Sequence, residues 1–228
     1  MKKLLSLLLI ISLAFSLLVS CTKDNTDDDD TADTSDTPEY KYAKITVKDH
    51  GDIILKLNAT VAPITVENFL NLANSGFYDG LTFHRIIEDF MIQGGDPNGN
   101  GTGGNTDENG DKINIKGEFS NNGVKNNISH KRGVISMARS GNSYYPALAY
   151  NTASSQFFIC NADAPHLDGD YAAFGWVIEG MDVVDSITRE GIKHTTTAQN
   201  GTISDKSKQP VITSITEISR REALAYTK

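Results

Sequence analysis

An arginine set among apolar neighbours is the first feature of this sequence that asks for a chemical explanation. Phe83-His84-Arg85-Ile86-Ile87 reads as a strand, and the two-residue period of a strand puts Phe83, Arg85 and Ile87 on one face. A charge on such a face is costly unless something holds it. Phe90, Met91 and Gln93 follow at once, then the turn Gly94-Gly95-Asp96-Pro97. Further along, Gln156-Phe157-Phe158 places Gln156 and Phe158 on one face and Phe157 on the other. A cationic fork, two amide side chains and several rings suit the binding of a peptide better than the breaking of a bond. Neither a Ser-His-Asp arrangement nor a pair of carboxylates stands out.

Other candidates are weaker. The 5 histidines are scattered without metal-ligand spacing, so His84 and His166 read as packing or rim residues. Asp107, Asn109, Asp111 and Glu118 imitate positions 1, 3, 5 and 12 of a calcium-binding loop, but Lys112 occupies the position that needs glycine and no flanking helices are evident. Cys160 follows the apolar Ile159 and reads as a buried strand residue rather than a nucleophile. No metal or cofactor is expected.

The elements that must position these residues are mostly strands. Ala43, Ile45 and Val47 alternate with Lys44, Thr46 and Lys48, and after the turn 49–52 the segment 53–57 returns as the second arm of a hairpin. Val66, Phe69, Leu70 and Ala73 fall at helical spacing, with Pro63 near the start and Gly76 past the end. Val183, Val184 and Ile187 mark a shorter helix between Gly180 and Gly191. Short β-type segments lie at 81–87, 91–93, 134–137, 156–160, 172–177 and 211–218. Two long Gly/Asn-rich stretches, 94–127 and 188–209, read as loops, and the length of the first favours a functional role. The pattern predicts a mainly β, closed antiparallel barrel with helical caps.

The two ends of the net charge are separate. The chain of 228 residues carries −8, with 39% hydrophobic and 22% charged residues, which excludes a wholly disordered chain and a multi-pass membrane protein. Residues 22–39 hold eight acids against Lys23, leaving 18 basic against 21 acidic side chains in 40–228. No basic patch with interleaved aromatics appears, so nucleic acid is not an expected partner. Lys2 and Lys3 precede an apolar run from Leu4 to Val19, short for a membrane span of about 20 residues and typical of an export signal. The run ends Leu18-Val19-Ser20-Cys21, which resembles the lipobox of bacterial lipoproteins, whose cysteine is diacylated on its thiol, after which the peptide is cut just before it and the new amine is acylated. The expected organisation is a signal peptide at 1–20, a lipidated Cys21 with an acidic tether to 39, and a domain at 40–228. An acidic stretch in this place is similar to the surface-export signals of Bacteroidetes-type lipoproteins, so the periplasmic and outward-facing orientations both stay open. The expected location is the bacterial cell envelope, with the outer membrane favoured.

The blocks that carry the chemistry resemble the cyclophilin-type peptidyl-prolyl cis-trans isomerases. Phe83-His84-Arg85-Ile86-Ile87 with Phe90-Met91-Ile92-Gln93-Gly94-Gly95-Asp96 looks like the family signature. Gly133-Val134-Ile135-Ser136-Met137-Ala138, Ser154-Ser155-Gln156-Phe157-Phe158-Ile159, Leu167-Asp168-Gly169 with Phe174-Gly175, and Ala62-Pro63 with Glu67-Asn68-Phe69-Leu70 follow in family order. The resemblance runs from about Tyr40 to Ile218. It implies an eight-stranded antiparallel barrel capped by two α-helices, with the active site on its outer face. The implied activity is rotation about X-Pro bonds of proline-containing polypeptides, with no covalent intermediate. By position, Arg85 is the implied catalytic residue. Phe90, Met91, Phe158 and Leu167 are implied to hold the proline ring, and Gln93 to orient Arg85 and touch the substrate backbone. Ala138 and the main chain of Arg139 are implied to take the residue before proline, with Gln156, His166 and Tyr171 completing the site.

Some positions depart from the family. His166 stands where many eukaryotic members have a tryptophan that contributes to cyclosporin binding, so weak sensitivity to that drug is expected. Tyr171 replaces a common histidine, and Arg139 a common asparagine whose backbone does the work. Residues 140–152 exceed the usual loop length; they could alter substrate choice or be neutral surface. The rival reading is a proline-peptide binding module or holdase with little turnover. A monomer is expected.

Overall fold

The computed structural model describes residues 38–142, 144–198 and 200–227. The signal segment, Cys21 and all but the last two residues of the tether lie outside the described residues. No helix among the described residues is long and apolar enough to cross a membrane.

Alternation in the first hairpin sets the inside and the outside of the molecule. Strand β1 (Tyr40–Val47) pairs with β2 (Gly51–Asn58) so that Ala43 lies opposite Leu55 and Ile45 opposite Ile53. These residues, with Val47 and Leu57, face the main core, while Tyr42 and Ile54 face the opposite side. The remaining strands are β3 (Phe83–Ile87), β4 (Met91–Gly94), β5 (Val134–Met137), β6 (Phe157–Cys160), β7 (Ala173–Glu179) and β8 (Ile212–Ile218). They form one antiparallel sheet in the order β3-β4-β6-β5-β7-β2-β1-β8.

The expected closed barrel is corrected to an open, curled sheet. Its end strands β3 and β8 share no ladder; the chain just before each of them meets only at the bridge Thr82–Val211 and a few backbone bonds, such as Ile212 N–H to the Leu81 carbonyl at 2.7 Å. Pro210 contributes to the break, because it offers a carbonyl to Phe83 N–H but has no N–H to return.

Helix α1 (Pro63–Asn74) buries Val66, Phe69, Leu70 and Ala73 in the core, as their spacing predicts. Ala62 supplies no side-chain cap, yet the helix start is satisfied from a distance. The buried Glu118 carboxylate accepts from the N–H groups of Ile64 (3.1 Å) and Thr65 (2.8 Å) and from the Thr65 hydroxyl (2.7 Å). An anion at a helix N-terminus is favoured by the exposed N–H groups there. Helix α2 (Met181–Gly191) buries Val183, Val184 and Ile187. The expected pair of helices becomes three. Helix α3 (Arg220–Tyr226) is capped by Ser219, whose Oγ accepts from Glu222 N–H, and it lays Ala223 on Tyr42 and Ile54 on the outer face.

Candidate active site

The outer face of β3, β4 and β6 carries the site, and a bulge aims its arginine. Phe83 pairs with Gly94 and Arg85 with Gln93, so His84 is an extra residue on β3. The expected sharing of one face by Phe83, Arg85 and Ile87 is therefore corrected. The bulge turns Phe83 into the core with Ile86, and leaves Arg85 and Ile87 on the outer face. His84 is buried, its ring nitrogens have no hydrogen-bond partner among the described residues, and burial lowers its pKa.

The free edge of β3 is covered by residues 200–203. Ile86 N–H donates to the Gly201 carbonyl (2.7 Å) and Ile203 N–H to the His84 carbonyl (2.9 Å). Gly201 has φ +69°, and a Cβ there would collide with the Ile86 carbonyl, so the close approach requires glycine. This segment places the Asn200 carbonyl 2.8 Å from Arg85 Nε. Asn200 is a contributor that sequence reading missed, since it acts through its backbone and lies in a stretch read only as loop.

Arg85 is held without a carboxylate. Nη1 donates to Gln93 Oε1 at 3.0 Å, and none of the ion pairs among the described residues includes Arg85. Nη2 has no acceptor among the described residues. Partial burial lowers the guanidinium pKa, with Tyr171 acting in the opposite sense. Gln93 Nε2 donates to Gln156 Oε1 (2.9 Å), and Gln156 Nε2 donates to the carbonyls of Gly101 (3.1 Å) and Gly103 (2.9 Å). Each amide oxygen in this relay accepts and each nitrogen donates, so the network fixes both orientations.

Beside the relay lies a cavity of about 110 Å³. Its wall is the apolar cluster of Met91, Phe158 and Leu167, flanked by Phe90, Ala138 and Tyr171. Drug-sized ligand sites run to roughly 300–1,000 Å³, so this one admits a single small ring. His166 is exposed on the rim, its ring 5.3 Å from that of Phe90. Ala138 N–H is taken by the Gln156 carbonyl (2.9 Å), whereas the backbone N–H and C=O of Arg139 have no partner among the described residues. The Arg139 side chain is bound to the Asp170 carbonyl (2.8 Å) and lies over the rings of Tyr171 (4.6 Å) and Tyr150 (5.4 Å). Every candidate site residue between 85 and 171 thus borders this cavity, its rim or the relay beside it.

Beneath the wall, the structure assembles a Ser-His-Asp arrangement that the sequence does not announce. His130 Nδ1 lies 2.8 Å from Asp168 Oδ1, and Nε2 lies 3.0 Å from Ser136 Oγ. An ionised Asp168 can only accept, so Nδ1 carries the proton and Nε2 accepts from Ser136. Burial lowers the His130 pKa against the pull of Asp168. Ser136 is fully buried, out of reach of any substrate. The imidazole instead stacks on Phe158, with ring centres 6.0 Å apart and planes 16° from parallel. It supports the wall of the cavity.

Two earlier alternatives resolve. The Asp107 carboxylate is engaged by the N–H groups of Asn109 and Asp111 (both 2.9 Å), and Glu118 is turned away to α1, so the four residues do not converge as calcium ligands would. Burial pushes the Cys160 thiol up to about 12, which keeps it protonated and unreactive at neutral pH.

A family model described as cyclophilin type peptidyl-prolyl cis-trans isomerase/CLD matches residues 42–217. A peptidyl-prolyl cis-trans isomerase of Helicobacter pylori is 44% identical over 155 residues, covering 67% of this chain and 84% of that protein. The Arabidopsis thaliana peptidyl-prolyl cis-trans isomerase CYP18-1 is 45% identical over 136 residues, 59% of this chain and 75% of that one. The crystal structure of a Cryptosporidium parvum cyclophilin-type isomerase superposes with a TM-score of 0.64 at 30% identity, covering 80% of this chain and 99% of its own. A second structure of that protein was obtained in the presence of the dipeptide Ala-Pro. The chain belongs to the cyclophilin-type peptidyl-prolyl cis-trans isomerase family. It is a peptidyl-prolyl cis-trans isomerase, EC 5.2.1.8.

Proposed function

We propose that Arg85 drives the isomerisation by hydrogen bonding to the proline nitrogen as the X-Pro bond twists. The observation that carries this reading is an Nη2 with no partner among the described residues, on an arginine otherwise fixed by Gln93 and Asn200 at the edge of a one-ring cavity. Rotation loses amide resonance and faces a barrier of about 18–20 kcal/mol. In the twisted state the proline nitrogen becomes pyramidal and regains a lone pair that the planar ground state lacks. A donor aimed there binds the transition state in preference to the substrate. An acceleration of about 10⁵ needs roughly 7 kcal/mol, and one charge-assisted hydrogen bond supplies about 1.5–3 kcal/mol. The rest comes from seating the proline against Met91, Phe158 and Leu167 and from holding the preceding residue on the Arg139 main chain. Pure peptide binding needs no free donor at the amide nitrogen, which favours turnover over a holdase.

The clients in this reading are proline-containing segments of exported or envelope proteins. The charged, apolar leader ending at Cys21 supports lipid anchoring to an envelope membrane, with residues 22–39 as a solvated tether. The exposed His166, in place of a broad indole, supports weak cyclosporin binding, and the domain acts as a monomer. Exchange spectroscopy on an Ala-Pro-Phe peptide tests the activity: cross-peaks between cis and trans signals that build up only with the full chain support it, and binding without exchange refutes it. Release of the protein from membranes by Cys21→Ser tests the anchor.

A further inference from the structure

The loop 140–152 carries the most exposed apolar side chains among the described residues. Tyr144 is 90% exposed, Leu148 73% and Tyr145 68%. The described residues of the loop are nevertheless well tied. Ser140 N–H donates to Thr152 Oγ1 (3.0 Å), whose hydroxyl donates to the Ala149 carbonyl (2.7 Å). Asn142 Oδ1 accepts from the N–H groups of Tyr144 (3.1 Å) and Tyr145 (2.8 Å), and residues Pro146–Ala149 form a 3₁₀ turn. Tyr150 packs edge-on to Phe119 (5.1 Å) under the Arg139 guanidinium. The side chains at the tip are presented from a fixed frame.

That frame is continuous with the substrate cleft. Ser140 and Thr152, the roots of the loop, line a polar hollow of about 90 Å³. The hollow shares Gln93, Ala138 and Arg139 with the one-ring cavity. A chain with its proline in the cavity and the preceding residue on Arg139 runs on across the hollow toward the loop, at about 3.3 Å per extended residue. Contiguous exposed apolar side chains mark interaction surfaces, and tyrosines give broad contact at low cost in side-chain entropy.

We infer that Tyr144, Tyr145 and Leu148 form an accessory binding surface for apolar or aromatic side chains of an unfolded client, several residues to the N-terminal side of the proline being turned. This rests on the reading of the cleft given above and adds to it a preference among clients. A tetrapeptide is too short to touch the surface, so only long substrates sense it.

The test uses the full chain and the triple variant Tyr144→Ser, Tyr145→Ser, Leu148→Ser. Two 20-residue peptides share one Ala-Pro pair; one has Phe-Leu-Phe five to seven residues before the proline and the other has serines there. The expected result is a KM for the apolar peptide about tenfold lower than for the serine peptide, equivalent to about 1.4 kcal/mol, with no such difference in the variant. Exchange of a tetrapeptide stays equal in both proteins, which also shows that the variant is folded. Equal KM values for the two long peptides with the unmodified chain overturn the inference, as does discrimination that survives in the variant. A dimer that the variant loses, without peptide discrimination, assigns the patch to self-association and overturns it too. Absence of tetrapeptide exchange in the unmodified chain refutes the cleft reading instead, so the two failures are distinct.

Discussion

The outer face of the sheet carries two apolar clusters, and the chain covers only one of them. Over β1 and β2, Tyr42 and Ile54 are closed off by Ala223 of α3. Over β4 and β6, Met91 and Phe158 share a cluster with Leu167, but a cavity stays open beside them and an arginine stands at its edge. Apolar surface left next to a partly desolvated charge is costly to keep, so it persists where a ligand completes it. The covered cluster contributes stability, and the open one is the proposed seat of the proline.

The sharpest way to break this contrast lies in two adjacent phenylalanines. Phe157 is fully buried in the inner core and touches Phe69, Tyr78 and Phe83. Phe157→Ala is expected to cost about 3–5 kcal/mol of stability, read by chemical denaturation. Phe158→Ala, one residue on and facing outward, is expected to lower kcat/KM by about 10- to 100-fold, the worth of burying roughly 1.5–3 kcal/mol of ring against the proline. Its loss of stability should be smaller than that of Phe157→Ala. Equal stability losses with equal activity would erase the distinction between the faces.

The covered cluster gives the converse case. Ala223→Asp places a carboxylate against Tyr42 and Ile54 and should loosen α3, costing about 1–3 kcal/mol while leaving exchange of a short peptide unchanged. A parallel fall in kcat/KM would mean that α3 supports the site, contrary to the division drawn above.

A smaller effect comes from pH. Burial lowers the pKa of both His130 and His84, so the folded protein resists protonating them. Above about 6.5, the ordinary histidine value, neither state binds the proton and stability is complete. As the pH falls below it, the unfolded chain takes up protons that the folded chain refuses, and stability declines until the folded-state values are passed. Denaturation midpoints should therefore drop between pH 7 and 5.5. Amide signals of the folded protein around Phe158, above His130, should stay in place while the midpoint drops, because the folded state refuses the proton over that range. A flat midpoint over this range would contradict it.

Much of this was legible in the sequence because alternation and helical spacing are local signals. The hairpin 43–57, the outward Phe158 against the inward Phe157, and the buried faces of α1 and α2 all follow from periods of 2 and 3.6. Ser219 and Glu222 spell a capping pattern that would have disclosed α3. The bulge at His84 was not legible, since one extra residue in a ladder depends on the partner strand. The cap of α1 by Glu118 and the hold of Asp168 on His130 join residues separated by tens of positions, and no spacing rule connects them or brings Ser136 to the same ring. The hold of Asn200 on Arg85 is invisible for a different reason: any residue has a carbonyl.

The central claim is that the Nη2 of Arg85 acts on the twisting bond rather than on the bound substrate. It is tested most directly by measuring peptide affinity and the exchange rate together for Arg85→Ala. The account predicts a fall in the exchange rate of about 10- to 100-fold, the worth of one charge-assisted hydrogen bond of about 1.5–3 kcal/mol, with peptide affinity changed by little. An exchange rate that survives the substitution, or a loss that lies wholly in affinity, would contradict it.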